Sequence, residues 1–204
     1  MTIKEYFNWF KVNWPKTCLI VSVFIIVYLL IIVLPNNLLL FTALLAGPLY
    51  MIHEFDEYVY PGGFQQFMNK NIYKLDPENG MLDNDAAFWI NIIAVWTLIP
   101  LFSLWAVFDI RQVITLPYFF IFQAVLHLIL GIVGKQLIHP GIISAWLIHV
   151  PWGVLTIYLL TKNGVIKNPF WNDDVRGALF IVAALALVGC ILMIRYKRKK
   201  QVAS

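Results

Sequence analysis

Residues 17–34 read TCLIVSVFIIVYLLIIVL, an eighteen-residue run without a charge. As a helix rising about 1.5 Å per residue it would be roughly 27 Å long, close to the bilayer's hydrocarbon thickness of about 30 Å. No small-residue cleavage pattern follows, so it reads as an uncleaved first span rather than a signal peptide. The turn Pro35-Asn36-Asn37 closes it. The rest of the chain has the same character. Of its 204 residues, 61% are hydrophobic and 13% charged, against about half and about a quarter in a soluble domain. A core of this size cannot hide that excess, so lipid must cover much of it.

Working outward, further apolar runs occupy 38–52, 86–108, 116–133, 142–160 and 177–194. The expected fold is an all-α membrane protein, one transmembrane domain over 1–204 built as a bundle of about six transmembrane helices. The run 38–52 is short for a span of about 20 residues. It contains Gly47-Pro48, so this second helix is expected to be short or broken. Either it kinks at Pro48 and continues, or it is re-entrant. Residues 1–16 carry Lys4, Lys11, Lys16, Trp9 and Trp14 and are expected to form an interfacial segment. Residues 53–85 form a polar connection with two turns, Tyr60-Pro61-Gly62-Gly63 and Asp76-Pro77-Glu78-Asn79-Gly80. Between them, 64–75 suit a short amphipathic helix at the interface. Cys18 and Cys190 read as small apolar packers rather than a disulfide or a metal pair.

Charge orients the bundle. With six spans, the N-terminus, the connection 53–85, the connection between the fourth and fifth spans, and the tail share one side, which holds eleven of the fifteen Lys and Arg residues. The positive-inside rule makes that side, with both termini, cytoplasmic. The basic tail 195–204 contains Arg195, Lys197, Arg198, Lys199 and Lys200. It is expected to anchor against anionic lipid; nucleic acid is not an expected partner.

At the end of the second run stands His53-Glu54-Phe55-Asp56-Glu57. Ionisable groups at a bilayer's edge are costly and usually mark a working site. If the helix continues, His53, Asp56 and Glu57 share a face and Glu54 points elsewhere. His127, His149 and Asn91 fall roughly 7–12 Å into the same half of the bilayer, counted from the ends of their helices. All four histidines thus belong to this layer or, as His139, to the loop above it. The expected metal ligands are His53, Glu57, His127 and His149. Asp56 or Glu57 would supply catalytic acid–base function, and Asn91 would orient a ligand or the substrate. Such a set suits zinc, or iron or manganese if more oxygen ligands join. The plainer reading makes Asn91, His127 and His149 hydrogen-bonding links between helices. It makes His139 a turn residue before Pro140-Gly141, and Asp56 and Glu57 a solvated helix end. A pair of Ser144 with His149 is a minor alternative. There is no His-Glu-x-x-His, Gly-x-Ser-x-Gly or phosphate-cradling loop.

The stretch His53-Glu54-Phe55-Asp56-Glu57-Tyr58, followed by Pro61-Gly62-Gly63-Phe64, resembles the signature of the HXXEE family of small multispan membrane proteins, mostly bacterial. Asn69, Asn91, His127 and the Pro140-Gly141 turn after His139 are similar to that family's later blocks, and the resemblance covers roughly 40–160. One letter departs: Asp56 stands where the family name has Glu, keeping the carboxylate one methylene shorter. The resemblance implies a shared membrane fold, a shared site and a bacterial plasma membrane as location. It implies no reaction.

Three functions are expected to compete. The first is a metal-dependent membrane hydrolase acting on a lipid-like substrate. The second is a small proton- or cation-coupled transporter, and the third a non-catalytic membrane partner or sensor.

Overall fold

The computed structural model describes residues 2–203, without the side chains of Ala186, Lys199, Lys200, Val202 and Ala203. The outermost residues of the expected segments 1–16 and 195–204, Met1 and Ser204, lie outside the described residues, as do the side chains of two tail lysines. Every described element is helical. Six helices are long and apolar enough to cross a membrane: Ile3–Val33, Leu38–Tyr58, Asn84–Trp105, Ile110–Val133, Ile142–Lys162 and Asp173–Arg198.

The first helix starts on a reciprocal cap. The Glu5 amide donates to the Thr2 hydroxyl, and the Thr2 amide donates to the Glu5 carboxylate. It then runs without a break through the segment expected to lie separately at the interface. At about 1.5 Å per residue its length is roughly 46 Å, more than a bilayer core needs. Trp14, Pro15, Cys18 and Ser22 form its buried stripe against the second helix. Cys18 is thus the apolar packer expected, and Cys190 is free and exposed.

The second helix is capped by Asn37, whose side chain accepts from the Leu40 amide. It breaks once at Leu45, between Leu38–Leu44 and Ala46–Tyr58. Pro48 has no N–H for the Leu44 carbonyl, which accounts for a break there. The helix nevertheless continues through the motif to Tyr58. The kinked alternative is the one adopted, and 21 residues make it long enough to span.

Prolines shape the other spans too. The π turns Leu29–Val33, Ala94–Leu98 and Ala145–His149 each end two residues before a proline: Pro35, Pro100 and Pro151. A missing donor lets the preceding ladder slip to wider hydrogen bonds. In the fifth helix this slip has consequences for the site.

The second helix is central. It packs on the first, third and fifth helices, while the fourth packs between the fifth and sixth. Cross-links are few and specific: the Ser103 hydroxyl donates to the Ala43 carbonyl at 2.7 Å, and the Trp152 indole to the Thr42 carbonyl at 2.9 Å. Phe24, Ile31, Leu104, Leu147 and Phe180 project outward from the bundle, as side chains facing lipid should. At the fourth helix's start, Asp109 caps the turn Ile110–Val113, and the Arg111 guanidinium beside it lowers its carboxyl to about 2.

The connection 59–83 carries the short helix expected there and packs it against the second and fourth helices. Phe64–Phe67 and Met68–Ile72 form one short helix with Phe67 and Asn69 buried. Asn69 clamps the following loop. Its amide donates to the Pro77 and Leu82 carbonyls, and its oxygen accepts from the Leu82 amide. A Cβ on Gly80 would lie 2.2 Å from Asn69 Cγ. Gly80→Ala is therefore expected to break the clamp and cost about 2–3 kcal/mol, read as a lowered melting temperature.

Candidate metal centre

The second helix brings His53 and Glu57 to one face because they stand one turn apart. The fourth helix brings His127 from the opposite wall. Glu57 Oε1 lies 3.5 Å from His53 Nε2 and 3.2 Å from His127 Nε2. All three ligand atoms lie within 4.8 Å of one another, and all three residues are buried. Apart from these contacts with one another, none of these atoms has a hydrogen-bond partner.

The neighbours explain why. Ser144 Oγ lies 2.5 Å from Asp56 Oδ2 and 3.2 Å from the Gly141 carbonyl, both acceptors, so its proton is directed at them. Its lone pair then accepts from His53 Nδ1–H at 2.8 Å. On the other side, His139 Nδ1 faces the Gln136 and Leu137 carbonyls at 3.2 and 3.3 Å and must be the donor. His139 Nε2 is left bare and accepts from His127 Nδ1–H at 3.2 Å. Burial also holds the His139 imidazole below the usual histidine range, favouring its neutral form. In their neutral form both ligand histidines therefore carry the proton on Nδ1 and the lone pair on Nε2. With both imidazoles neutral, two lone pairs and a carboxylate oxygen converge. Three acceptors in this arrangement could hold a metal ion.

The spacing suits a small ion. Ligands about 2.0–2.1 Å from zinc at tetrahedral angles are about 3.3 Å apart, against 3.2 and 3.5 Å here. Two imidazoles and one carboxylate are a donor set that zinc accepts.

Not every residue expected at the site joins it. Asp56 leaves the ligand face and accepts from both the hydroxyl and the amide of Ser144. It orients His53 from outside. His149 is fully buried beside His53, ring centroids 4.4 Å apart, but packs between Tyr50 and Phe120 and stays outside the ligand set. The cause is the π turn Ala145–His149. It aligns Ser144 and His149, five residues apart, so both flank His53 instead of pairing with each other. Asn91 donates to Tyr58 Oη at 3.2 Å and to the Ala87 carbonyl at 2.9 Å, away from the ligand atoms.

Two residues were undervalued by sequence reasoning. His139, expected as a turn residue, is buried, stacks on Phe67 at 4.3 Å and orients His127. Glu54, expected to point elsewhere, is 2% exposed, and its Oε2 is buried without a partner on the wall of a cavity it shares with Glu57. The signal for Glu54 was its three-residue spacing from Glu57, which places the two on adjacent turns.

Ser144→Ala should free the His53 ring to adopt the other tautomer. Metal affinity is expected to fall about 10–100-fold, measured by competition with a chromogenic chelator, with little change in fold.

The architecture and the cluster together define a class: a six-helix protein that fits an integral membrane location and carries a buried His/Glu group able to hold a metal ion. Residues 44–156 match the family described as "Protein of unknown function with HXXEE motif". This is more than half of the chain, which therefore belongs to the HXXEE family. Neither the curated proteins nor the solved structures contain a match.

Proposed function

We propose that the protein is a metal-dependent membrane hydrolase acting on an amphipathic, lipid-like ester or amide. The observation that supports this is the convergence of three buried potential ligand atoms, His53 Nε2, His127 Nε2 and Glu57 Oε1, beside an apolar cavity. A divalent ion held there, zinc by preference over iron or manganese, would supply Lewis acidity to the substrate oxygen and to a water. The chain's own residues do the rest. Ser144 and His139 orient the two imidazoles, and Asp56 fixes Ser144. Glu54 is the carboxylate left free to accept a proton. The water oxygen bonds to the carbonyl carbon, its proton passes to Glu54, and Glu54 returns that proton to the leaving alkoxide or amine as the scissile bond breaks.

Eleven of fifteen basic residues lie toward the site's end of the bundle. This supports a cytoplasmic site with both termini on that side of a bacterial plasma membrane, and a tail resting on anionic lipid.

The test is direct. Purified protein should carry about one divalent ion per chain, and His127→Ala should lose it. A fluorogenic long-chain ester should be hydrolysed, with Glu54→Gln inactive but still metal-loaded. Metal-free protein whose stability ignores chelators would end the proposal.

A further inference from the structure

A cavity of about 870 Å³ lies between the second, third, fourth and sixth helices, with Glu54 and Glu57 on its wall. Its volume falls within the range of about 300–1,000 Å³ that holds one small molecule. Its lining is otherwise almost wholly aliphatic and aromatic. Leu98 and Phe102 also reach the bundle's outer surface, so the cavity adjoins the lipid.

One stripe of the fourth helix, Leu116, Phe119, Gln123, Leu126 and Leu130, forms a wall at three- and four-residue spacing. Gln123 is the only polar residue of that stripe. Its Oε1 is buried with no hydrogen-bond partner, a costly state in apolar surroundings. The second and fourth helices run in the same direction, each ending at the metal-centre side. Gln123 stands one turn before His127, and Glu54 about one turn before Glu57. Gln123 therefore stands about 6 Å deeper in the bundle than His127, while Glu54 lies level with the ligand His53 and about one turn deeper than Glu57. Beyond them the walls carry Leu98, Ile99, Phe102 and Leu116.

We infer that the cavity binds a single-chain amphiphile carrying a hydrogen-bond donor, a hydroxyl or N–H, beside its ester or amide group. Gln123 Oε1 accepts from that donor, and the chain extends along the third and fourth helices toward Phe102. The inference rests on the hydrolase reading for the placement of the scissile bond, and on the cavity alone for the binding.

The experiment separates the two. Protein in phosphatidylcholine nanodiscs is titrated with monolauroylglycerol and with methyl laurate, which share a chain and an ester but differ in donors. Binding is followed by tryptophan fluorescence and by the shift in melting temperature. Monolauroylglycerol should bind about tenfold more tightly or better. In Gln123→Leu, which suits the apolar stripe and should keep or raise the melting temperature, the two ligands should bind alike. Leu185→Trp, which fills the cavity, should weaken both. Equal binding of the two ligands to the unaltered protein, or a preference that survives Gln123→Leu, would overturn the inference. The preference should persist after chelation; if it does while no hydrolysis is ever seen with metal, only the hydrolase reading fails.

Discussion

Gly141→Ala should dismantle the metal centre from a position that contributes no ligand. Gly141 has φ +88°, and a Cβ there would lie 2.6 Å from His127 Cε1, 2.8 Å from Glu57 Cγ and 2.9 Å from Glu57 Oε1. Both neighbours are buried and held, His127 by His139 and Glu57 by its own helix, so neither can swing aside. The left-handed backbone adds about 1–2 kcal/mol for any residue with a Cβ, and the overpacking about 1–3 kcal/mol more. Metal affinity should drop by at least two orders of magnitude, and the melting temperature should fall even in metal-free protein. Metal content and thermal unfolding, with and without added zinc, check both parts. Full metal occupancy in this variant would mean that the ligands are not the three named here.

Glu57→Gln carries a prediction whose sign is diagnostic. In the unaltered protein, chelation removes the ion that satisfies three acceptors. At a metal concentration a hundredfold above Kd the ion contributes about 2.7 kcal/mol, so chelation should lower the melting temperature by about 5–10 °C. The variant loses the carboxylate and with it the metal, so chelation should not move its melting temperature. Its new amide N–H can donate to one bare imidazole lone pair. Metal-free variant should therefore be at least as stable as metal-free unaltered protein. The opposite pattern, with no chelator effect and a strongly destabilised variant, would mean that a proton and not a metal joins Glu57 to the imidazoles. That outcome would favour a proton relay of the kind a coupled transporter uses.

Much of the site was legible because its spacing is local. His53 and Glu57 are one helical turn apart, and any continuous helix puts them on one face. His127 could be placed at the right depth from its distance to the end of its apolar run. What could not be read was whom each side chain meets. Asp56 has the same spacing credentials as Glu57, yet it turns to Ser144, a residue 88 positions away. His149 has the right depth, but a π turn set by Pro151 carries it to the far side of His53. His139 looked like part of a turn because Pro140-Gly141 follows it, and that turn is what tucks its ring beneath His127.

The number of membrane-length helices, the polar layer at one end and the pairing of His53 with Glu57 follow from hydropathy and helical periodicity, which act within a few residues. Which groups become ligands, which orient them and which face a cavity was decided only by packing between helices. Tautomers and unpartnered oxygens depend on neighbours that the chain brings together from distant segments.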